Sequence, residues 1–145
     1  MAAIAHLPHR LLTYDHDGGP VTGVEAAAAL GLDPATVFKT LLTTAGVAVV
    51  PVASRLSLKA AATALGAKRA EMLASADAER LARSVVGAIS PFGLPRRLAV
   101  ALDDSALDHE VIRVSGGRRG HEIEIAPDLL VTQLSATVAD LTVPT

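Results

Sequence analysis

Residues Val37 to Val52 read "VFKTLLTTAGVAVVPV", and this stretch decides the fold. Two apolar runs are separated by a break at Gly46, so a strand carrying Lys39 and a second strand from Val47 to Val52 are expected as one hairpin. Alternation puts Val37, Lys39 and Leu41 on one face of the first strand and Phe38, Thr40 and Leu42 on the other. Neither face is cleanly polar, which predicts a strand covered on both sides. Lys39 is the anomaly. Either its stem packs and its head snorkels to water at a sheet rim, or the cation meets a phosphate or carboxylate at a pocket wall.

Upstream of the hairpin, Leu11 to Tyr14 suits a short strand, and "DHDGGP" supplies turn chemistry. Thr22 and Glu25 have the form of a capping box, opening an alanine-rich helix that Gly31 closes. Asp33 caps a short turn with Pro34 at its first position. Downstream, Ser57 caps a helix to about Leu65, stopped at Gly66, and Asp77 to Ser84 is another helix. "VGAISPFG" (Val86 to Gly93) is too rich in Gly and Pro for a regular element. "LAVAL" (Leu98 to Leu102) is a buried strand ending in Asp103-Asp104-Ser105. Glu110 to Val114 and His121 to Ile125 are strands joined by "SGGRRG", Pro127 to Leu134 is a helix, and Thr137 to Leu141 is a last strand. Strands that neighbour each other in sequence, interrupted by scattered helices, predict an α+β fold with a mixed, mainly antiparallel sheet.

The chain has 145 residues, the size of one ordinary domain, and no linker or repeat divides residues 1–145. Half the residues are hydrophobic but only 2% are aromatic, so the core is built from Ala, Val and Leu. A net charge of −2 excludes a generally basic nucleic-acid coat and leaves room for a small local patch touching a few phosphates. With no cysteine, disulfides, zinc–thiolate sites and cysteine nucleophiles are excluded together. The opening "MAAIAHLPHR" lacks the cationic leader and apolar run of a signal peptide, and no run approaches the roughly 20 apolar residues of a membrane span. A cytoplasmic protein is expected.

Three stretches could carry chemistry. Lys39 is the first. The second is "VGAISPFG", where Gly87 lets a ligand approach the backbone and freed N–H groups could bind an oxyanion; an ordinary helix–strand loop is the competing reading. The third is "VSGGRRGHEIEI" (Val114 to Ile125), whose Gly116, Gly117 and Gly120 allow positive φ beside two arginines and could form an anion nest; a hairpin tip with solvated arginines competes. His6, His9, His16, His109 and His121 lie singly or near the terminus, so no metal site is expected. Asp15 and Asp17 flank His16 beside a Gly-Gly-Pro turn and are assigned to turn chemistry. There is no Gly-x-Ser-x-Gly elbow, Walker loop or dinucleotide fingerprint, and no cofactor is implied. Any enzyme built here has no evident nucleophile or general base.

Six stretches in one order carry a resemblance: "TYDHD" (Thr13 to Asp17), "LGLDPATVFKTLL" (Leu30 to Leu42), "LGAKRAEM" (Leu65 to Met72), "VGAISPFG", "DDS" (Asp103 to Ser105) and "VSGGRRGHEIEI". The sequence resembles the YbaK/EbsC family of aminoacyl-tRNA deacylases, relatives of the editing domain inserted in bacterial prolyl-tRNA synthetases. The resemblance implies a mixed, partly closed sheet or barrel surrounded by helices. It implies trans-editing: metal-independent hydrolysis of the ester on mischarged tRNA(Pro), with Cys-tRNA(Pro) the expected substrate of this branch and Ala-tRNA(Pro) that of sister branches. The implied partners are the tRNA acceptor end and a prolyl-tRNA synthetase that delivers it, with no DNA and no membrane.

Carried over position by position, Lys39 resembles the lysine that contacts the 3′-terminal adenosine's phosphate. Gly87 and Pro91, with Ala88, Ile89 and Ser90 between them, form the Gly-x-x-x-Pro motif whose backbone binds the substrate carbonyl. Tyr14 matches a pocket tyrosine. Ser115 and Glu122 match a serine and an acidic residue near the substrate, with Gly116 and Gly117 beside them. An aminoacyl ester is already activated, so positioning and oxyanion stabilisation can supply much of the catalysis, and the family's accounts let the substrate's own thiol or ribose hydroxyl attack.

Two features depart from the pattern. The family's helix before the first strand is missing, which implies a trimmed pocket edge or a natural start further upstream. Ala88 stands where a second glycine is usual, and its methyl is expected either to shrink the pocket wall or to forbid positive φ. It leaves the amino acid open and admits a binding module of the same fold, or a hydrolase for another small ester or amide, as competing readings.

Overall fold

A computed structural model describes residues 2–16 and 22–144. Asp17 and the Gly18-Gly19-Pro20 part of the turn read from the sequence lie outside these residues. Seven strands and four helices follow in the order β1 (Arg10–Thr13), α1 (Gly23–Leu30), β2 (Phe38–Thr43), β3 (Gly46–Pro51), α2 (Leu58–Ala64), α3 (Ser75–Ala82), β4 (Val100–Asp103), β5 (Ile112–Ser115), β6 (His121–Ile125), α4 (Pro127–Leu134) and β7 (Thr137–Ala139). Short 3-10 turns at Pro34–Thr36, Pro91–Gly93 and Asp104–Asp108 join them.

Local signals explain several element ends. The Thr22 side chain accepts from the Glu25 N–H and Glu25 reaches back to the Thr22 N–H, closing the capping box of α1, which ends at Gly31 with φ 66°. Ser57 caps α2 by accepting from the Ala60 N–H. Asp33 and Ser90 cap the turns that begin at Pro34 and Pro91; the second is regular structure inside a stretch whose Gly and Pro content argued against any.

The hairpin forms with Phe38 opposite Pro51 and Thr43 opposite Gly46. Its turn is Thr44-Ala45, closed by Thr43 Oγ1, which accepts from the Ala45 and Gly46 amides and donates to the Gly46 carbonyl. Gly46 is therefore not the turn but the first residue of β3. A Cβ there would lie 2.5 Å from the Ala99 carbonyl oxygen, so the glycine is needed for close packing of β3 against the segment entering β4.

The strands form two sheets. One is antiparallel, in the order β1-β6-β5; the other is mixed, in the order β2-β3-β4-β7, with β3–β4 and β4–β7 parallel. The sheets do not close into a barrel. They meet where β2 lies against β5, with a parallel bridge from Val37 to Arg113. Phe38, Leu42, Val49, Leu102, Ile112, Ile123 and Leu130 belong to the main core, while Val37 packs with Ala27 and Val52, and Leu41 against Ala48 and Val50. Both faces of β2 are thus covered, as its mixed pattern requires. No helix among the described residues is long and apolar enough to cross a membrane.

Candidate active site

β2 stands at the end of its sheet. Its outer edge is held at one end by the bridge to Arg113 and at the other by the bridge from Thr43 to Met72, with the Leu73 N–H donating to the Leu42 carbonyl. Between these ties the edge borders a cavity of about 230 Å³. Lys39, Gly87, Ile89, Ser115 and Glu122 all line it, together with Thr40, Met72, Leu73 and Val86. Segments far apart in the chain therefore converge on one largely apolar space.

Lys39 is half-buried, and this burial holds its ammonium below the usual lysine value. It enters no ion pair with a described residue. A cation in that condition gains most from a ligand anion, which restores what desolvation removes.

The loop after α3 offers its backbone. Gly87 has φ 91°, a conformation that suits glycine. The Ala88 amide donates to the Val85 carbonyl, the Val86 amide to Glu79 Oε2 and the Phe92 amide to Ser90 Oγ. The Gly87 and Ile89 amides donate to no described residue, leaving two donors on residues that line the cavity.

Glu122 is 3% exposed at the centre of the β1-β6-β5 sheet, opposite Leu12 on one side and Ser115 on the other. Burial raises its carboxyl to about 7, against a lowering hydrogen bond from Ser115. Its Oε2 is buried without a hydrogen-bond partner among the described residues, as is Thr40 Oγ1 in the same cavity. The Ser115 hydroxyl also donates to the Gly87 carbonyl at 3.1 Å. One hydroxyl has one proton to give, so Gly87 and an ionised Glu122 compete for it, whereas a protonated Glu122 can donate to Ser115 and satisfy both. Glu124, on the same face of β6, is the contrast. Burial pushes it up, but hydrogen bonds and charges of Arg113 and Arg10 outweigh this and hold it below the usual carboxylate value.

The remaining sequence-selected residues do not line the cavity. Tyr14 donates its amide to the Gly120 carbonyl; burial raises its phenol, opposed by a hydrogen bond from the Gly120 backbone and reinforced by the charge of Glu122. Ala88 is 2% exposed and has no positive φ, so its methyl neither narrows the wall nor strains the loop. Ser90 is buried, and Pro91 faces a second, smaller cavity of about 120 Å³. Gly116 has no positive φ and gives its amide to the His121 carbonyl, and the Gly117 carbonyl accepts from Ser84 Oγ; the tip is not a nest open at every glycine.

Leu73, Val52 and Gly23 were missed as lining residues, because membership depends on tertiary packing that no local pattern encodes; Thr40 and Met72 lay inside motifs already singled out. The sequence inventory also missed a grouping of Asp103, Asp104 and Asp140, whose carboxylate oxygens lie within 4.8 Å of one another. Both oxygens of buried Asp103 are engaged there, by the Leu141 amide and by Ser105.

Comparison with known proteins identifies the family. Residues 20–132 match the aminoacyl-tRNA editing domain family, and the chain belongs to that family. It is 30% identical over 141 residues to a protein of Enterococcus faecalis named "Putative Cys-tRNA(Pro)/Cys-tRNA(Cys) deacylase EbsC", covering 94% of this chain and 86% of that protein. Among solved structures, the hypothetical protein APE2540 superposes with a TM-score of 0.82 at 29% identity, covering 95% of this chain and 93% of the other. A structure described as a putative trans-editing enzyme for prolyl tRNA synthetase gives a TM-score of 0.81 at 23% identity, covering 94% and 87%, a likeness of fold.

Proposed function

We infer that the protein is a freestanding editing deacylase that hydrolyses the ester of mischarged tRNA(Pro), with cysteine the amino acid removed and a prolyl-tRNA synthetase the source of the substrate. The observation that carries this reading is the convergence of Lys39, Gly87, Ser115 and Glu122 on one cavity in a chain of the editing-domain family. In this reading Lys39 holds the phosphate of the terminal adenosine. The Gly87 and Ile89 amides receive the ester carbonyl and stabilise the oxyanion that develops on it.

Attack comes from the substrate. The cysteine sulfur bonds to the carbonyl carbon as the ester C–O bond breaks, and the thiol proton ends on the released ribose hydroxyl. Water then opens the resulting cyclic thioester, its oxygen going to the carbonyl carbon and a proton to the sulfur, to give free cysteine. Thr40, Ser75 and Ser115 line the cavity with no histidine among the described lining residues to activate them, which suits such a route, because the enzyme's contribution is then orientation. Two buried oxygens without partners among the described residues, Thr40 Oγ1 and Glu122 Oε2, favour a substrate with polar groups of its own.

The test is deacylation of Cys-tRNA(Pro), Ala-tRNA(Pro) and Pro-tRNA(Pro) by the wild type and by Lys39→Ala. Cys-tRNA(Pro) is expected to be hydrolysed and Pro-tRNA(Pro) spared, with Lys39→Ala slower by on the order of 10²-fold through lost positioning. Preference for Ala-tRNA(Pro) would reassign the amino acid. A wild type inactive on every mischarged tRNA would end the proposal.

A further inference from the structure

We propose that Arg83 and Arg118 form a docking surface for the sugar–phosphate backbone of the tRNA acceptor end, immediately outside the cavity. The proposal rests on reading the cavity as an aminoacyl-ester site and adds where the rest of the substrate lies. The loop after α3 and the tip between β5 and β6 run side by side. Ser84 Oγ donates to the Gly117 carbonyl at 2.8 Å, and Ser115 Oγ donates to the Gly87 carbonyl at 3.1 Å. Gly87 and Ser115 line the cavity; Arg83 and Arg118 lie just beyond the outer of these two links. Both are exposed, and neither enters an ion pair with a described residue.

The charge is local. Residues 83–87 and 115–119 contain no carboxylate, in a chain whose net charge is −2; Glu79 reaches this loop, where its Oε2 accepts from the Val86 amide at 2.8 Å. The opposite flank, leading to Met72, has Lys68 and Arg69, but Glu71 follows them on the same segment. Arg83 has a second peculiarity. It ends α3 in the left-handed region, φ 51° and ψ 41°, where glycine is the favoured residue. A cation thus stands at a backbone position that disfavours it. Planar guanidinium groups match phosphate oxygens in a two-pronged fashion that lysine does not, and an RNA backbone is the ligand that presents phosphates in series beyond a terminal adenosine.

The experiment compares hydrolysis of Cys-tRNA(Pro) with that of cysteinyl-adenosine, which has the ester but no acceptor strand, over a range of salt concentrations. Arg83→Gly removes the cation and suits the backbone, so it tests charge without threatening the fold; it is combined with Arg118→Ala. The double variant is expected to lose about tenfold of the preference for tRNA over cysteinyl-adenosine. Its plot of log kcat/KM against log salt should flatten by about 0.7 for each phosphate that is no longer neutralised. An unchanged preference and slope, or a flattening confined to Lys68→Ala/Arg69→Ala, overturns the proposal. A wild type active on both substrates with no salt dependence also overturns it while leaving the deacylase reading intact. A wild type inactive on both removes the reading on which it rests.

Discussion

Glu122 and Glu124 point to the same side of β6 and are driven apart by their surroundings. Glu124 has two arginines; Glu122 has burial and a serine. Glu122 is expected to impose a pH dependence on stability. Its carboxyl ionises near 4.5 in the unfolded chain and at about 7 in the fold, so between those values the native state holds a proton that the unfolded state has released. Stability therefore falls as pH rises through this window and levels off above it, with a total loss of about 3 kcal/mol. Glu122→Gln keeps a donor toward Ser115 and cannot ionise. Urea unfolding of this variant from pH 5 to 8 is expected to show a flat profile over the window and greater stability than wild type at pH 8. A wild-type profile with no decline would show that Glu122 is not buried as described. The acidic residue was legible as a family position, but its lack of a cation was not, because that depends on which arginines face β6.

The joint between the sheets depends on β2 and β5. Arg113 donates through Nε to Glu124 at 2.8 Å and through Nη1 to Thr36 Oγ1 at 2.8 Å, tying the segment that enters β2 to the other sheet. Arg113→Ala is expected to cost about 2 kcal/mol in chemical denaturation, since hydrogen bonds to charged groups are lost and Glu124 is left less well compensated. Loss of under about 0.5 kcal/mol would contradict a structural role for this tie. The ends of α1, the start of α2 and the hairpin were readable because caps and alternation are local: Thr22, Glu25, Gly31 and Ser57 act within one turn of where they sit. The helix read as Asp77 to Ser84 instead runs from Ser75 to Ala82, where no side chain caps its start. Sheet order was not readable. The placement of β4 beside β3 and of β7 beside β4, both parallel, comes from long-range packing that no local pattern encodes. Gly46 was misread for the same reason, its need arising from Ala99 rather than from the turn.

At the scale of the molecule, the cavity is where the edge of one sheet meets the helix–strand loop and the other sheet. Lys39 belongs to the first, Gly87 to the loop, Ser115 and Glu122 to the last. Their chemistry could be proposed from sequence because the motifs occur in a recognisable order. Their convergence, and the apolar residues that complete the walls, follow only from packing. The measurement that tests the account most directly is single-turnover hydrolysis of Cys-tRNA(Pro) by Gly87→Ala, beside wild type, with thermal unfolding of both recorded. The methyl at φ 91° disturbs the backbone donors, and a rate lower by roughly 10²- to 10³-fold in a folded variant is predicted. A variant as fast as wild type would contradict the account, because the loop would then contribute nothing to the reaction.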